Sequence, residues 1–310
     1  MSDLAARRAR ILGPNVPTFY RRPLHIVAGE GVWLTDAGGR RYLDAYNNVP
    51  QLGHGHPAVV AAVAEQMAGL NVHSRYLHDG ILDYAERLLG TMGHGLETVL
   101  FACTGSEAND VALRMAEAAT GRRGVIATDA TYHGNTTALS WLSTRRPPIC
   151  GRPDHVRLIP PPAAPRPPGG DAAGQGAAFA ARVRAAVAEL EAAGHGLAAL
   201  ILCPVFATEG LPCLPRGALA AAMAAVRQAG GLVIADEVQC GFGRTGRMWG
   251  HETAGIAPDI VTVGKAMGNG YPLAAVATRA DVMEAFRGAF GYFNTMAATP
   301  VAAAAGMAVL

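Results

Sequence analysis

Two stretches decide the reading of this chain: GGLVIADEVQCGFGRTG (230–246) and DIVTVGKAMGNGYPLAAV (259–276). Each opens with a short, mainly apolar run of strand length, the pattern of a strand buried on both faces of a parallel sheet. The runs lead into Asp236 and Lys265, so both side chains are expected at the same edge of one sheet, where such sheets bind ligands. Around them, apolar runs alternate with helical patterns. Strands are expected at 98–103, 124–128, 155–160 and 197–206, and helices at 106–119, near 134–142, at 178–194 and near 217–229. In 178–194 the residues Phe179, Val183, Val187 and Leu190 form one stripe. This alternation predicts an α/β fold with a mostly parallel central sheet sandwiched by helices.

Upstream, HIVAGEGVWLTDAGGRRYLDA (25–45) reads as a meander of two alternating runs broken at Asp36, Gly38 and Gly39. A helix is expected behind Pro57, with Val60, Val63, Ala64 and Met67 on one face. The segment 147–176, rich in proline, glycine and alanine, reads as a solvated surface loop without a catalytic role. At the end, TPVAAAAGMAVL (299–310) is a helical pattern with no stop signal, so the chain is expected to break off within an element.

Half of the 310 residues are apolar, enough for a large core. With 26 basic against 24 acidic residues the formal net charge is +2, and neither a nucleic-acid nor a membrane-surface partner is expected. The five cysteines are scattered and have neither zinc-site spacing nor the density of a disulfide scaffold, so reduced thiols and no metal site are expected. No apolar run has the length of a signal peptide core or a membrane span, and the expected location is the cytoplasm.

The chemistry explains why an acid and a lysine are wanted together. A lysine amine condenses with an aldehyde once burial makes its neutral form accessible, and pyridoxal 5'-phosphate is the common aldehyde partner. A carboxylate facing the pyridine nitrogen keeps that nitrogen protonated, and the ring then accepts the electrons released when a substrate bond breaks. In FACTGSEANDVALRMA (101–116) a strand runs into Thr104, Gly105 and Ser106 and a helix follows at once. Free N–H groups at such a junction hold anions, and glycine lets a phosphate come close. Read alone this is a capped helix start; beside Asp236 and Lys265 it is a phosphate site. No P-loop lysine follows it, which disfavours a nucleotide-binding protein. Tyr132 and His133 lie past 124–128 at the same edge, where an aromatic ring either stacks on a flat cofactor or caps the core with its hydroxyl in water. Gln239 is placed to donate to the cofactor's phenolic oxygen.

Over 24–310 the chain resembles the class III aminotransferases, pyridoxal phosphate enzymes of fold type I. The motifs that carry the likeness are GVWLTDAGGRRYLDA (31–45), LGHGHPAVVAAVAEQ (52–66), TGSEANDVALRMA (104–116), TYHGNTTALS (131–140), ADEVQCGFGRTG (235–246), VTVGKAMGNGYPLAAV (261–276) and FNTMAATPVAAAAGMAVL (293–310). The resemblance implies a Schiff base on Lys265, which then shuttles a proton. It also implies that Asp236 pairs with the pyridine nitrogen, Val238 and Tyr132 flank the ring, and Gly105 and Ser106 hold the phosphate. Thr295 would reach the phosphate of a neighbouring subunit's cofactor, so a homodimer with active sites at the interface is implied. The expected organisation is an N-terminal arm and meander over 1–52, a large cofactor-binding domain over 53–296, and a helix over 297–310 leading to a missing C-terminal domain.

A finer likeness lies in AYNNVPQLGHGHP (45–57) and LNVHSRYLHDGILDYAERL (70–88), which look like the ethanolamine-phosphate phospho-lyase branch. Under that reading Asn48 and Arg75, with His73 or His78, contact a phosphorylated substrate; equally, Arg75 reads as a surface arginine among ordinary histidines. Two departures from the family stand out: Cys203 replaces a glutamate before the strand-end Pro-Val, and Met296, Ala297 and Ala298 replace an aromatic and two glycines. The expected function is transamination of a small primary amine or amino acid. The alternatives are elimination of phosphate from a phosphorylated amino alcohol, and an inactive cofactor-binding or assembly domain.

Overall fold

The run Leu197–Leu202 is buried at every position, and a strand with no wet face has to lie inside a sheet covered on both sides. The computed structural model, which describes residues 2–14, 16–18, 20–145, 147–162 and 172–310, places it there. In chain order the elements are α1 (Ser2–Leu12), β1 (Ile26–Glu30), β2 (Trp33–Asp36), β3 (Arg41–Leu43), α2 (Pro57–Gly69), α3 (Asp79–Leu89), β4 (Thr98–Ala102), α4 (Gly105–Thr120), β5 (Gly124–Thr128), α5 (Thr137–Ser140) and β6 (Val156–Ile159). There follow α6 (Ala172–Ala192), β7 (Leu197–Leu202), α7 (Ala220–Gln228), β8 (Leu232–Asp236), α8 (Gly250–Ala254), β9 (Ile260–Val263), a 3-10 turn (Lys265–Gly268), β10 (Ala274–Thr278), α9 (Ala280–Ala289) and α10 (Pro300–Val309).

Seven strands form one sheet in the order β4-β10-β9-β8-β7-β5-β6, and β1-β2-β3 form a separate antiparallel sheet. Within the larger sheet β10 alone runs against its neighbours. The other strands therefore point their carboxyl ends to one edge, where Asp236 closes β8 and Lys265 follows β9.

Successive side chains on a strand face opposite layers. Ala199 and Ile201 join Val111 and Met115 of α4 and Phe286 of α9, while Leu200 and Leu202 meet Phe179, Val183 and Leu190 of α6. Towards β4, β9 and β10 the second face is covered by α3 and α10, where Tyr84 packs among Phe101, Val261 and Ala302. Tyr84 is fully buried, and burial pushes its phenol well above the ordinary value.

Most expected elements are present, with instructive differences. The first run of the meander is two strands, because the chain turns at Gly31 with φ +54. The helix behind Pro57 forms, but its buried member is Val59, while Val60 and Met67 of the expected stripe are 57% and 52% exposed. The helix expected near 134–142 shrinks to four residues, and the one near 217–229 covers 220–228. Within 147–176, 163–171 lie outside the described residues. The rest holds the strand expected at 155–160, as β6, and departs from a loop only where α6 begins at Ala172. There Gly176 passes so close to Ala218 that a Cβ would stand 2.2 Å from its carbonyl oxygen.

Two tests of this packing follow. A Cβ on Gly306 of α10 would stand 2.3 Å from Cζ of Tyr84. Gly306→Ala is therefore expected to lower unfolding free energy by about 1–3 kcal/mol in a denaturant titration. Burial alone would raise the Asp44 carboxyl, but bonds from Asn47, His54 and Tyr46 outweigh it and hold the group at about 2. Its contribution is present above the ordinary carboxylate value of 3.8 and is lost as pH falls through about 2. An acid titration of Asp44→Asn, followed by circular dichroism, should lack that component.

Candidate active site

The helix α4 begins one residue after Thr104, whose Oγ1 accepts from Glu107 N at 3.1 Å. In return Glu107 Oε2 accepts from Thr104 N at 3.0 Å and from Cys103 N at 2.7 Å. This reciprocal cap fixes the helix start and leaves the first-turn amides of Gly105 and Ser106 without a main-chain acceptor. Both residues line a cavity of about 220 Å³ at the carboxyl edge of the sheet. Glycine is needed at 105 because Val238 Cγ1 lies 2.8 Å from where a Cβ would stand. Gly134, at φ +141, brings the loop after β5 against Ser106; a Cβ there would meet Ser106 Oγ at 2.7 Å.

Asp236 is buried at the end of β8. Its Oδ2 accepts from Asn109 Nδ2 at 2.9 Å and bonds His133 Nδ1 at 2.6 Å, and Oδ1 accepts from Val238 N at 3.0 Å. Behind this pair, Thr262 donates to Asn109 Oδ1 at 2.6 Å, which orients the amide so that Nδ2 faces Asp236 and the His133 carbonyl. With His133 Nδ1 donating to the carboxylate, Nε2 is left to accept from the Thr131 hydroxyl at 3.1 Å. Each bond to a charged group is worth about 1.5–3 kcal/mol, so three of them offset the several kcal/mol that burying a carboxylate costs.

Lys265 reaches the same cavity from β9 and opens the 3-10 turn with φ +36, a left-handed backbone that costs a lysine about 1–3 kcal/mol. Across the cavity Cys203 forms part of the wall. Its sulfur lies 3.9 Å from Cys240 Sγ, and Cys240 donates to Glu237 Oε2 at 3.0 Å. The contact with Cys203 and burial raise the Cys240 thiol well above its ordinary value, so it is no nucleophile. Glu209, close by in the chain, is not among the cavity's lining residues and accepts from Thr128 and Thr208.

Gly105, Ser106, Tyr132, His133, Asp236, Val238, Gln239 and Lys265 thus share one cavity. Within it, His133 lies beneath Asp236 and is buried, while Tyr132 is 55% exposed at the rim. Four other candidates do not line it. Thr295 is exposed on the loop that Asn294 ties to Glu107 Oε1 at 3.4 Å. Arg75 lies over the Phe293 ring at 4.0 Å, and His78 holds the N-cap position of α3 without a side-chain capping bond. Asn48 offers its carbonyl to Arg244 at 3.3 Å. Asn109 and Thr262 were not anticipated, although a polar residue on the buried face of α4, between Ala108 and Ala112, was a legible signal. A larger cavity of about 700 Å³ lies between α1 and the small sheet. It contains no lysine, and Asp44, its carboxylate, is committed to His54.

A buried carboxylate, a lysine and bare helix amides form a cavity chemically suited to an aldehyde cofactor carrying a phosphate. With the seven-stranded sheet they define a pyridoxal phosphate fold of type I. The chain belongs to the class III aminotransferase family, whose model matches residues 18–310. It is 40% identical to an alanine–glyoxylate aminotransferase 2-like protein of Drosophila melanogaster, the match covering 98% of this chain and 63% of that protein. It is 35% identical to ethanolamine-phosphate phospho-lyase homolog 1 of Caenorhabditis elegans, covering 99% and 69%. Among solved structures, an Arthrobacter phospholyase in complex with phosphoethanolamine is 46% identical. It superposes with a TM-score of 0.94 over 99% of this chain and 73% of that one. The chain spans 63% to 69% of the length of these two curated relatives.

Asn109→Ala leaves Thr262 without its acceptor and Asp236 Oδ2 with one donor fewer. Unfolding free energy should fall by about 1–3 kcal/mol, and added pyridoxal phosphate should dissociate faster, read by denaturation and by cofactor absorbance.

Proposed function

We propose that this chain carries pyridoxal phosphate chemistry on a small primary amine, with Lys265 as the covalent anchor. The observation that carries the reading is the cavity itself. Lys265 shares it with a carboxylate held by Asn109 and His133, and with the unpartnered first-turn amides of α4. When bound, the cofactor supplies an aldehyde for condensation with amines and a ring that accepts electrons from a substrate carbon. The Nζ of Lys265, the amine that lines the cavity, would hold the cofactor's aldehyde and would be the group placed to move a proton at the substrate carbon. Asp236 would hold the proton on the ring nitrogen, Val238 and Tyr132 would flank the ring, Gln239 would donate to the phenolic oxygen, and the amides of Gly105 and Ser106 would bind phosphate. His133 acts from behind, orienting Asp236.

Of the two reactions, elimination of phosphate from ethanolamine phosphate or a similar amino alcohol is favoured over transamination. The 46% identity to a phospholyase seen with phosphoethanolamine supports it. So does the cavity wall, where a thiol at Cys203 avoids the repulsion that a carboxylate would exert on a phosphorylated substrate. Arg75, His78 and Asn48 stand outside the cavity of their own chain, so a substrate-contact role for them is proposed only toward the cavity of a partner subunit.

The proposed assembly is a homodimer in which Thr295 serves the partner's cofactor. Exposed Val60, Met67, Leu70, Tyr76 and Leu77 support a partner surface. The segments 1–52, 53–296 and 297–310 are proposed as small-domain part, cofactor domain and lead into a further domain. No helix among the described residues is long and apolar enough to cross a membrane, and a cytoplasmic location is proposed.

The test pairs two assays on the cofactor-loaded protein. Inorganic phosphate released from phosphoethanolamine, with little amino transfer to pyruvate, is the expected result; transfer without phosphate release would sink the lyase reading. Lys265→Ala should abolish both activities and the bound-cofactor absorbance. A protein that stays colourless with added cofactor would point to an assembly role.

A further inference from the structure

A second cavity, of about 240 Å³, shares no lining residue with the one around Lys265. His94, Arg216, Arg247, His251 and Glu252 supply its polar walls. Arg216 and Arg247 are both exposed, and neither is among the arginines that pair with carboxylates in the described residues. Arg216 is held in place by one bond, from Nε to the Glu252 carbonyl at 3.2 Å, which leaves its terminal nitrogens for a ligand. Gly255, at φ +70, makes room for its stem; a Cβ there would stand 2.8 Å from Arg216 Cγ. Glu252 is the one acidic wall residue, and its Oε2 already accepts from Trp249 N at 3.2 Å.

His251 makes this more than a basic patch. It is completely buried, and its Nδ1 lies 2.9 Å from Glu237 Oε1, which also accepts from His251 N at 2.6 Å. Nε2, at the other edge of the ring, is buried with no partner, a costly state for a polar atom. Because Nδ1 and the main chain face Glu237, the Nε2 edge is the one left for the cavity. The exposed ring of His94 stands edge-on to it at 5.7 Å and forms the adjoining part of the cavity wall.

We infer that this cavity binds an oxyanion of the phosphate type, free or carried on a small molecule, with Arg216 and Arg247 supplying charge and His251 Nε2–H the buried donor. Guanidinium forks match such oxygens in geometry. The contact of Nδ1 with Glu237 orients the ring so that Nε2 is the edge presented to the anion.

The experiment uses cofactor-saturated protein, so that the phosphate cradle at Gly105 is filled and the result is independent of the chemistry assigned to Lys265. Sulfate, inorganic phosphate and glycerol 3-phosphate are titrated while the nitrogen resonances of the His251 ring are followed. A saturable Nε2 shift is expected. Arg216→Gln and Arg247→Gln, both at exposed positions, should each weaken binding about tenfold with the circular dichroism spectrum unchanged. Tighter binding of the ester than of inorganic phosphate assigns the site to a phosphorylated small molecule, and the reverse order to the free ion. No saturable shift, or unchanged affinity in the doubly substituted protein, overturns the inference.

Discussion

The burial of one carboxylate constrains everything around it. Asp236 sits at the end of a strand whose neighbours are apolar, and a charge there is tolerable only if its oxygens are satisfied. Its partners come from three places in the chain: Asn109 on α4, His133 after β5, and the amide of Val238 on its own turn. The Asn109 amide is itself fixed from β9 by Thr262. The helix, the loop and two strands are therefore held in register by a single group. The same bonds leave Oδ1 with one donor, so the carboxylate retains capacity on the side of the cavity.

Around that group the main chain comes unusually close to side chains, and glycine is what permits it. Val238 packs onto bare backbone at Gly105, and the loop after β5 closes on Ser106 only because Gly134 has neither a Cβ nor a negative φ. Those contacts hold the first turn of α4, the loop and the turn after β8 together as walls of one cavity. Lys265 adds local strain, its left-handed backbone being held between the buried β9 and the 3-10 turn. Strain of this kind persists where surrounding packing overdetermines it, which accords with the role proposed for the lysine.

The legible part of the molecule was the part governed by local pattern. Mainly apolar runs mark β5, β7, β8 and β9, and the stripe at Phe179, Val183 and Leu190 marks α6, because solvent exclusion imposes its period on the sequence. Where one short signal served two structures, the pattern misled. Gly31 splits the meander into an extra strand, and glycine and alanine over 172–176 imitate a linker where α6 begins. The stripe on α2 was real as a periodicity, but it does not face the core of this chain; Val59 does.

For the site, sequence by itself determined the sheet-edge position of Asp236 and Lys265, the capped start at Thr104, and the family likeness that the comparisons bear out. These follow from side-chain chemistry and from element ends, which are local properties. Only the tertiary structure decided that His133 lies beneath Asp236, that Asn109 and Thr262 complete its bonding, and that Arg75, His78, Asn48 and Thr295 stand outside the cavity around Lys265. Residues 103 or 127 positions apart meet through the stacking of layers, and the distance between two side chains on different elements is fixed by that stacking and has no period in the sequence.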